Sequence, residues 1–175
     1  MNEATGHDGN PPVQQMTGEL AAIATIVEGM VRAQESLATL DEDGVLWPSQ
    51  AALYSVMALQ SELNPRMIDI VREITGAGMI TLPSSLKDFE NPDEAPDIER
   101  FFRSASTNAR DRVALMRLAW DVIGTEFGGR HQQYEKFYGG ASFLVKMNVF
   151  RFYDFQRATA LVDKALALPP LPGPG

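Results

Sequence analysis

Gly124-Thr125-Glu126-Phe127-Gly128-Gly129-Arg130-His131-Gln132-Gln133-Tyr134-Glu135 is the stretch on which the reading of this chain turns. It follows Arg112-Val113-Ala114-Leu115-Met116-Arg117-Leu118-Ala119-Trp120-Asp121-Val122-Ile123, whose apolar residues recur at helical spacing. Two adjacent glycines in such a pattern each cost about 1 kcal/mol relative to alanine. A cost of that size implies that something approaches the backbone closely. Two kinds of body suit it: another helix, or a flat ligand laid on bare surface. Arg130, His131, Gln133 and Tyr134 put polar groups beside the bare patch.

Outward from this stretch the chain is helical in both directions. A first helix is predicted from Thr17 to Asp43, with Leu20, Ile23, Val27, Met30, Val31, Leu37 and Leu40 as its stripe. A second follows Trp47-Pro48 with Ser49 as its cap and breaks at Asn64-Pro65. Pro65 then opens a third, which Gly76 ends. Residues 77–96 form a long connection, apolar at first and rich in Pro, Asp and Glu later. A short helix over Asp97–Arg103 leads to a longer one over Thr107–Ile123. After the glycines, helix is expected over Gln132–Tyr138. Ser142–Tyr153 and Phe155–Leu168 make a closing hairpin, with Leu144, Met147, Val149, Phe150, Leu161, Val162, Ala165 and Leu166 facing inward. No strand-like alternation of any length appears. The expected fold is all-α, an antiparallel helical bundle occupying 17–168 as one domain. Residues 1–16 read as a disordered leader and 169–175 as a disordered Pro/Gly tail.

Composition narrows the function. The chain has 175 residues, 45% of them apolar, and a net charge of −8. Its 23 acidic residues against 15 basic ones include no basic run to neutralise phosphates, which argues against nucleic acid and anionic membrane surfaces. There is no cysteine, so no disulfide, thiolate nucleophile or zinc–cysteine site exists. The first residues lack the apolar core of a signal peptide, and no apolar run reaches the roughly 18 residues of a membrane span. A cytoplasmic protein is expected.

Little in the chain looks catalytic by itself. His7 lies in the leader, and His131 reads as a hydrogen-bonding partner rather than a catalyst. One ordered histidine and no cysteine leave no metal site. Glu126 and Arg130 stand at i,i+4, the spacing of an ordinary helix ion pair. Ser84 and Ser85 suit turn or cap chemistry. P-loop, Rossmann and G-x-S-x-G motifs are missing.

Two blocks carry a resemblance. Trp120 through Tyr138, with Gly128-Gly129-Arg130-His131 at its centre, looks like the signature of the 4-hydroxyphenylacetate 3-monooxygenase oxygenase family. Upstream, Asn64-Pro65-Arg66-Met67 through Gly76, then Gly78-Met79 through Pro83-Ser84-Ser85, then Asp88 and Asn91-Pro92, match in order and spacing. The similarity covers about residues 17–168 and only the family's C-terminal helical domain, without its N-terminal helical and middle β-domains.

The resemblance implies an acyl-CoA dehydrogenase-like fold and a flavin held between the β-domain and this helical domain. A separate flavin reductase supplies reduced FAD, and the enzyme hydroxylates a phenol beside its hydroxyl group. Carried onto this chain, the flavin-facing residues are Pro83, Ser84, Ser85, Gly128, Gly129, Arg130, Gln133 and Tyr134. Arg130 is expected on the pyrophosphate or a flavin carbonyl. No catalytic residue is assigned. The implied partners are other copies of the chain, a chain bearing the two other domains, and the reductase. Met1 and the polar leader read as those of an independent subunit of a split monooxygenase. The competing reading is a non-catalytic interaction module derived from the same family.

Overall fold

The computed structural model describes residues 2–167; the expected tail, 169–175, lies outside them, as does Leu168. The fold is an antiparallel helical bundle, as the spacing of apolar residues predicts. Helix α1 spans Asn2–Thr5 and helix α2 spans Pro11–Ser36. The leader expected over 1–16 is therefore corrected. Pro11 opens α2 six residues before Thr17, at a position where a missing N–H costs nothing. Val13 is buried, and Ala4 is buried in α1, which packs on α3 and α5.

A second correction concerns the far end of α2, which stops at Ser36 rather than Asp43. Thr39–Leu40 (β1) and Leu46–Trp47 (β2) pair antiparallel, with Thr39 opposite Trp47 and Leu40 opposite Leu46. Two-residue strands cannot hold themselves together in water. Asp41 does it for them. Its carboxylate accepts from the Trp47 indole N–H at 2.7 Å and from the Val45 and Asp43 backbone N–H groups at 2.8 and 3.0 Å. Those bonds, the indole's first, hold the Asp41 carboxyl below the usual carboxylate range. Gly44, at φ 78°, supplies the left-handed residue of the turn.

Helix α3, Gln50–Thr75, is the axis of the bundle. Ser49 caps it, and the chain runs straight through Asn64-Pro65 instead of breaking there. An interior proline costs about 3 kcal/mol through a lost hydrogen bond and a ring clash. Packing against α2, α5, α6 and α7 along the whole length outweighs one such defect. Two single tight turns follow, Gly76–Met79 and Leu86–Glu90, then α4 (Ala95–Phe102) and α5 (Ala109–Ile123). Asn108 caps α5 by accepting from the Asp111 N–H at 2.8 Å.

Ile70, Val113 and Met116 are the largest fully buried side chains, so the core lies between α3 and α5. Helices α6 (Glu126–Phe137), α7 (Ser142–Phe152) and α8 (Phe155–Leu166) complete the chain. The glycine pair lies inside the first turn of α6, not before it. Val145 seats α7 on the bundle, but α8 has no buried residue. Leu144, Met147, Phe150, Leu161, Val162 and Leu166, expected inward, are exposed. Periodicity identifies an apolar stripe without saying which body covers it.

Arg66 ties α3 to α2 with a two-pronged bond to Glu19, at 2.6 Å through Nε and 2.8 Å through Nη2. The Arg66 hydrogen bond holds the Glu19 carboxyl below its usual range. Glu19 therefore contributes stability that is complete above its unfolded pKa and lost as pH falls through the lower folded one. Thermal melts of the wild type and Glu19→Gln are expected to differ at pH 7 and to converge toward pH 3. The difference is small because both side chains remain partly exposed.

Candidate functional site: grooves along α3, α5 and α6

The α5–α6 corner is built from helix-end chemistry. Thr125 caps α6 by accepting from the Gly128 N–H at 3.0 Å, while its hydroxyl donates to the Asp121 carbonyl at 2.8 Å. The exposed carbonyls at the end of α5 need donors. Gln132 Nε2 reaches Ile123 O at 3.3 Å, and Arg72 Nη2 reaches the same oxygen at 3.3 Å.

At this corner the two glycines part company. A Cβ on Gly128 would lie 2.5 Å from the Val122 carbonyl oxygen and 2.9 Å from that of Asp121. Gly128 is buried and serves a helix crossing, so its expected flavin-facing place is corrected. A Cβ on Gly129 would meet nothing within 4 Å. Gly129 instead lines a groove of about 200 Å³ with Asn64, Asp69, Arg72, Gln133 and Lys136. Gln133, Arg72 and Lys136 offer donors there; Asp69 pairs with Arg72, and the Gly129 N–H is already given to the Thr125 carbonyl within α6.

Two further grooves lie nearby. Arg72 also borders a groove of about 380 Å³ lined by Thr75, Met79, Ile80, Trp120 and Gly124. Met79, Ile80 and Trp120 in turn wall a groove of about 350 Å³ that reaches Pro83, Ser84 and Arg117. The Trp120 ring lies directly over Gly124, where a Cβ would be 2.4 Å from it. Trp120 is common to this groove and the middle one, and Arg72 is common to the middle one and the groove at Gly129 and Gln133. An apolar, indole-walled middle has cations at its flanks.

Arg117 Nη1 donates to the Pro83 and Ser84 carbonyls at 2.8 and 2.6 Å. Ser84 Oγ donates to Asp88 at 3.0 Å, and Ser85 Oγ accepts from the Lys87 N–H at 3.1 Å in a capping box. These serines shape the turn that walls the groove. A hydroxyl that accepts still has its proton to give.

Arg130 pairs with Glu126 on exposed surface, the ordinary helix pair its spacing suggests. Tyr134 belongs to an aromatic ladder along α6, stacked with His131, which stacks on Phe127; Tyr138 meets Tyr134 edge-on. His131 Nε2 lies 3.5 Å from Glu135, whose other oxygen accepts from Gln60 at 2.6 Å. Trp120, Arg117 and Arg72 were missed as groove residues. Trp120 opens the matching block, but nothing in its spacing separates a groove wall from a core residue. Among the described residues no group of three or more His, Asp or Glu is placed to hold a metal ion. No helix among them is long and apolar enough to cross a membrane.

The family model described as "HpaB: 4-hydroxyphenylacetate 3-hydroxylase C terminal" matches residues 1–167. The chain belongs to this family. It is 34% identical over 154 residues to the 4-hydroxyphenylacetate 3-monooxygenase oxygenase component of Thermus thermophilus, a match covering 88% of this chain and 32% of that protein. To the oxygenase component of a Rhodococcus 4-nitrophenol 2-monooxygenase it is 33% identical, over 87% of this chain and 30% of the other. A crystal structure of the oxygenase component HpaB complexed with FAD superimposes with a TM-score of 0.87 at 31% identity, over 95% of this chain and 35% of that one. A 4-hydroxybutyryl-CoA dehydratase of N. maritimus shares the fold with a TM-score of 0.81 at 13% identity. The chain spans about a third of the length of these relatives.

The two glycines should separate experimentally. Gly128→Ala forces α6 off the end of α5 and is expected to lower the melting temperature by several degrees. Gly129→Ala gains helix propensity in open space and is expected to leave it unchanged or raise it by about 2–4 °C. Differential scanning calorimetry of both variants checks this.

Proposed function

We propose that this chain forms the C-terminal helical part of the flavin site in a reduced-FAD-dependent, phenol-type monooxygenase. The site is completed by the N-terminal and β-domains that lie outside the matched third of the relatives. The observation that carries the reading is the row of neighbouring grooves, with Trp120 and Arg72 as shared walls, from Ser84 to the uncovered helix surface at Gly129.

The residues fit the cofactor's chemistry. Trp120, Met79 and Ile80 offer a flat apolar wall to a ring system, and stacking on an aromatic side chain contributes about 1–3 kcal/mol per base. Lys136, Gln133 and Arg72, which also pairs with Asp69, suit phosphate oxygens. Pro83, Ser84 and Ser85 supply the turn at the other end. Arg130 and Tyr134 stand on the same helix as Gly129, within reach of a partner domain laid over α6. FAD, when bound in reduced form, supplies the oxygen activation; this chain binds, orients and excludes water. The proposed partners are a reductase that delivers reduced FAD, other copies of this chain, and the polypeptide carrying the remaining domains. A cytoplasmic location accords with this role.

A second reading, a helical interaction module without chemistry, has one observation in its favour: Gly128 is explained by packing alone. The readings separate when the chain is mixed with reduced FAD and a polypeptide carrying the other two domains, and phenol hydroxylation is followed. Turnover above that of either component supports the enzyme; its absence supports the module. Flavin binding gives an independent measure. Trp120→Ala is expected to weaken FAD affinity of the assembled protein about tenfold, which is about 1.4 kcal/mol. In a Trp47→Phe background, FAD is expected to quench the fluorescence of Trp120. Unchanged affinity and unquenched emission would sink the groove assignment.

A further inference from the structure

We propose that Arg117 is the positioning residue of the Trp120 groove: it holds the Pro83–Ser84 turn against α5 and so sets how far apart the groove's two walls stand. The inference deepens the flavin reading and rests on it only for what enters the groove.

The turn cannot place itself. Ser84 Oγ and the Ser85 N–H both donate to one oxygen of Asp88 at 3.0 Å, and the Lys87 N–H donates to Ser85 Oγ at 3.1 Å. The Asn91 N–H closes on the Asp88 carbonyl at 3.2 Å. Bonds of this kind, all within residues 84–91, give the segment a shape and leave its position on the bundle open. No residue of 80–91 is buried, so apolar packing does not pin it either.

Arg117 supplies the anchor. A single nitrogen, Nη1, donates to the Pro83 carbonyl at 2.8 Å and to the Ser84 carbonyl at 2.6 Å. These bonds reach across 34 and 33 residues of chain. A cationic donor makes each about twice as strong as a bond between neutral groups. Asp121 stands at i+4 from Arg117, the spacing of an ordinary helix ion pair. Yet among the described residues Arg117 forms no ion pair, and its charge is given to the two carbonyls instead.

The bonds also cross the groove. Met79, Ile80, Leu82 and Pro83 belong to one wall, and Arg117, Trp120 and Asp121 of α5 to the other. A link from α5 to the turn carbonyls therefore fixes the gap between the apolar wall and the indole. Arg117 and Trp120 are three residues apart on α5, so the anchor and the indole share a helix face. Arg110 provides a contrast. Its guanidinium lies 5.8 Å from the centre of the Phe89 ring, so it touches the same segment. Neither Arg110 nor Phe89 lines a groove at Trp120.

Arg117→Met, Arg117→Lys and Arg110→Met are compared in the full chain by amide hydrogen exchange. Arg117→Met is expected to speed exchange at Ser85, Lys87, Asp88 and Asn91 about tenfold, while Ile70 and Val113 in the core keep their rates. In a Trp47→Phe background the same variant is expected to make Trp120 more accessible to acrylamide. Both bonds come from one nitrogen, so Arg117→Lys, still cationic though one bond shorter, is expected to restore both readouts in large part. Arg110→Met is expected to leave Trp120 accessibility unchanged. With the other two domains present, Arg117→Met is expected to weaken FAD binding about fivefold, and Arg110→Met to leave it unchanged. Unaltered exchange in Arg117→Met would overturn the proposal. So would equal acceleration in turn and core, which marks a general loss of stability, or a loosened turn beside an unaltered Trp120. A wild-type assembly that binds no FAD, or unchanged FAD affinity beside an opened groove, would overturn the flavin reading alone, because exchange and acrylamide quenching are read without the cofactor.

Discussion

Everything about the candidate site depends on how closely α6 sits against the end of α5. The contact is between the Cα of Gly128 and the Val122 and Asp121 carbonyls, with no room for a methyl group. That approach sets the direction in which α6 leaves the corner. It puts Gln132 within reach of the Ile123 carbonyl and places Gly129 and Gln133 in one groove with Arg72 and Lys136. One helix-breaking residue thus locates the next one. The first glycine is spent on geometry, and the second leaves the helix surface uncovered at the groove. Packing accounts for the first glycine, and the proposed ligand role rests on the second alone.

The axis against which this corner is built is α3. It carries Arg72 at the junction of two grooves, and it packs on the helices at both sides of the bundle. Its continuity through Pro65 matters for the site. A break there would uncouple Arg72 and Ile68 from the half of the helix that holds α7. Distributed packing along the helix resists the local cost of the proline, so the groove is held by a long rigid element rather than by a loop.

The class of the fold was legible because long apolar stripes at helical spacing have few alternatives; α5 and its Asn108 cap are the clearest case. The β1–β2 hairpin was not legible, since strands of two residues are too short to show alternation and depend on one carboxylate, Asp41, reaching an indole six residues away. The start of α2 at Pro11 was hidden by polar and glycine-rich surroundings. In the site, Gly129 and Gln133 were legible by motif and by resemblance. Trp120, Arg117 and Arg72 were not, because their role arises from where three separate segments meet. The serines at 84 and 85 show the converse. Their residue type suggested turn and cap chemistry, and the structure finds them engaged in just that; the ligand contact was implied by resemblance alone.

The unburied apolar surface can be divided by chemistry. Val71, Leu115, Leu118 and Val122 line a groove of about 220 Å³ on the α3–α5 side with Ala119 and Ile123. Ile123 also lines the Trp120 groove, so this surface adjoins the proposed flavin site. A partner domain laid there would bury aliphatic surface and dry the neighbouring groove in one step, which strengthens every polar contact inside it. The surface of α8 is different: aromatic at its root, with Arg157 and Lys164 against Asp163 along its length, and remote from Gly129 in the chain. Its charge is opposite to that of the α2–hairpin segment and has no counterpart in the α3–α5 groove, where the lining is apolar throughout. Two faces with such different chemistry suit two different bodies.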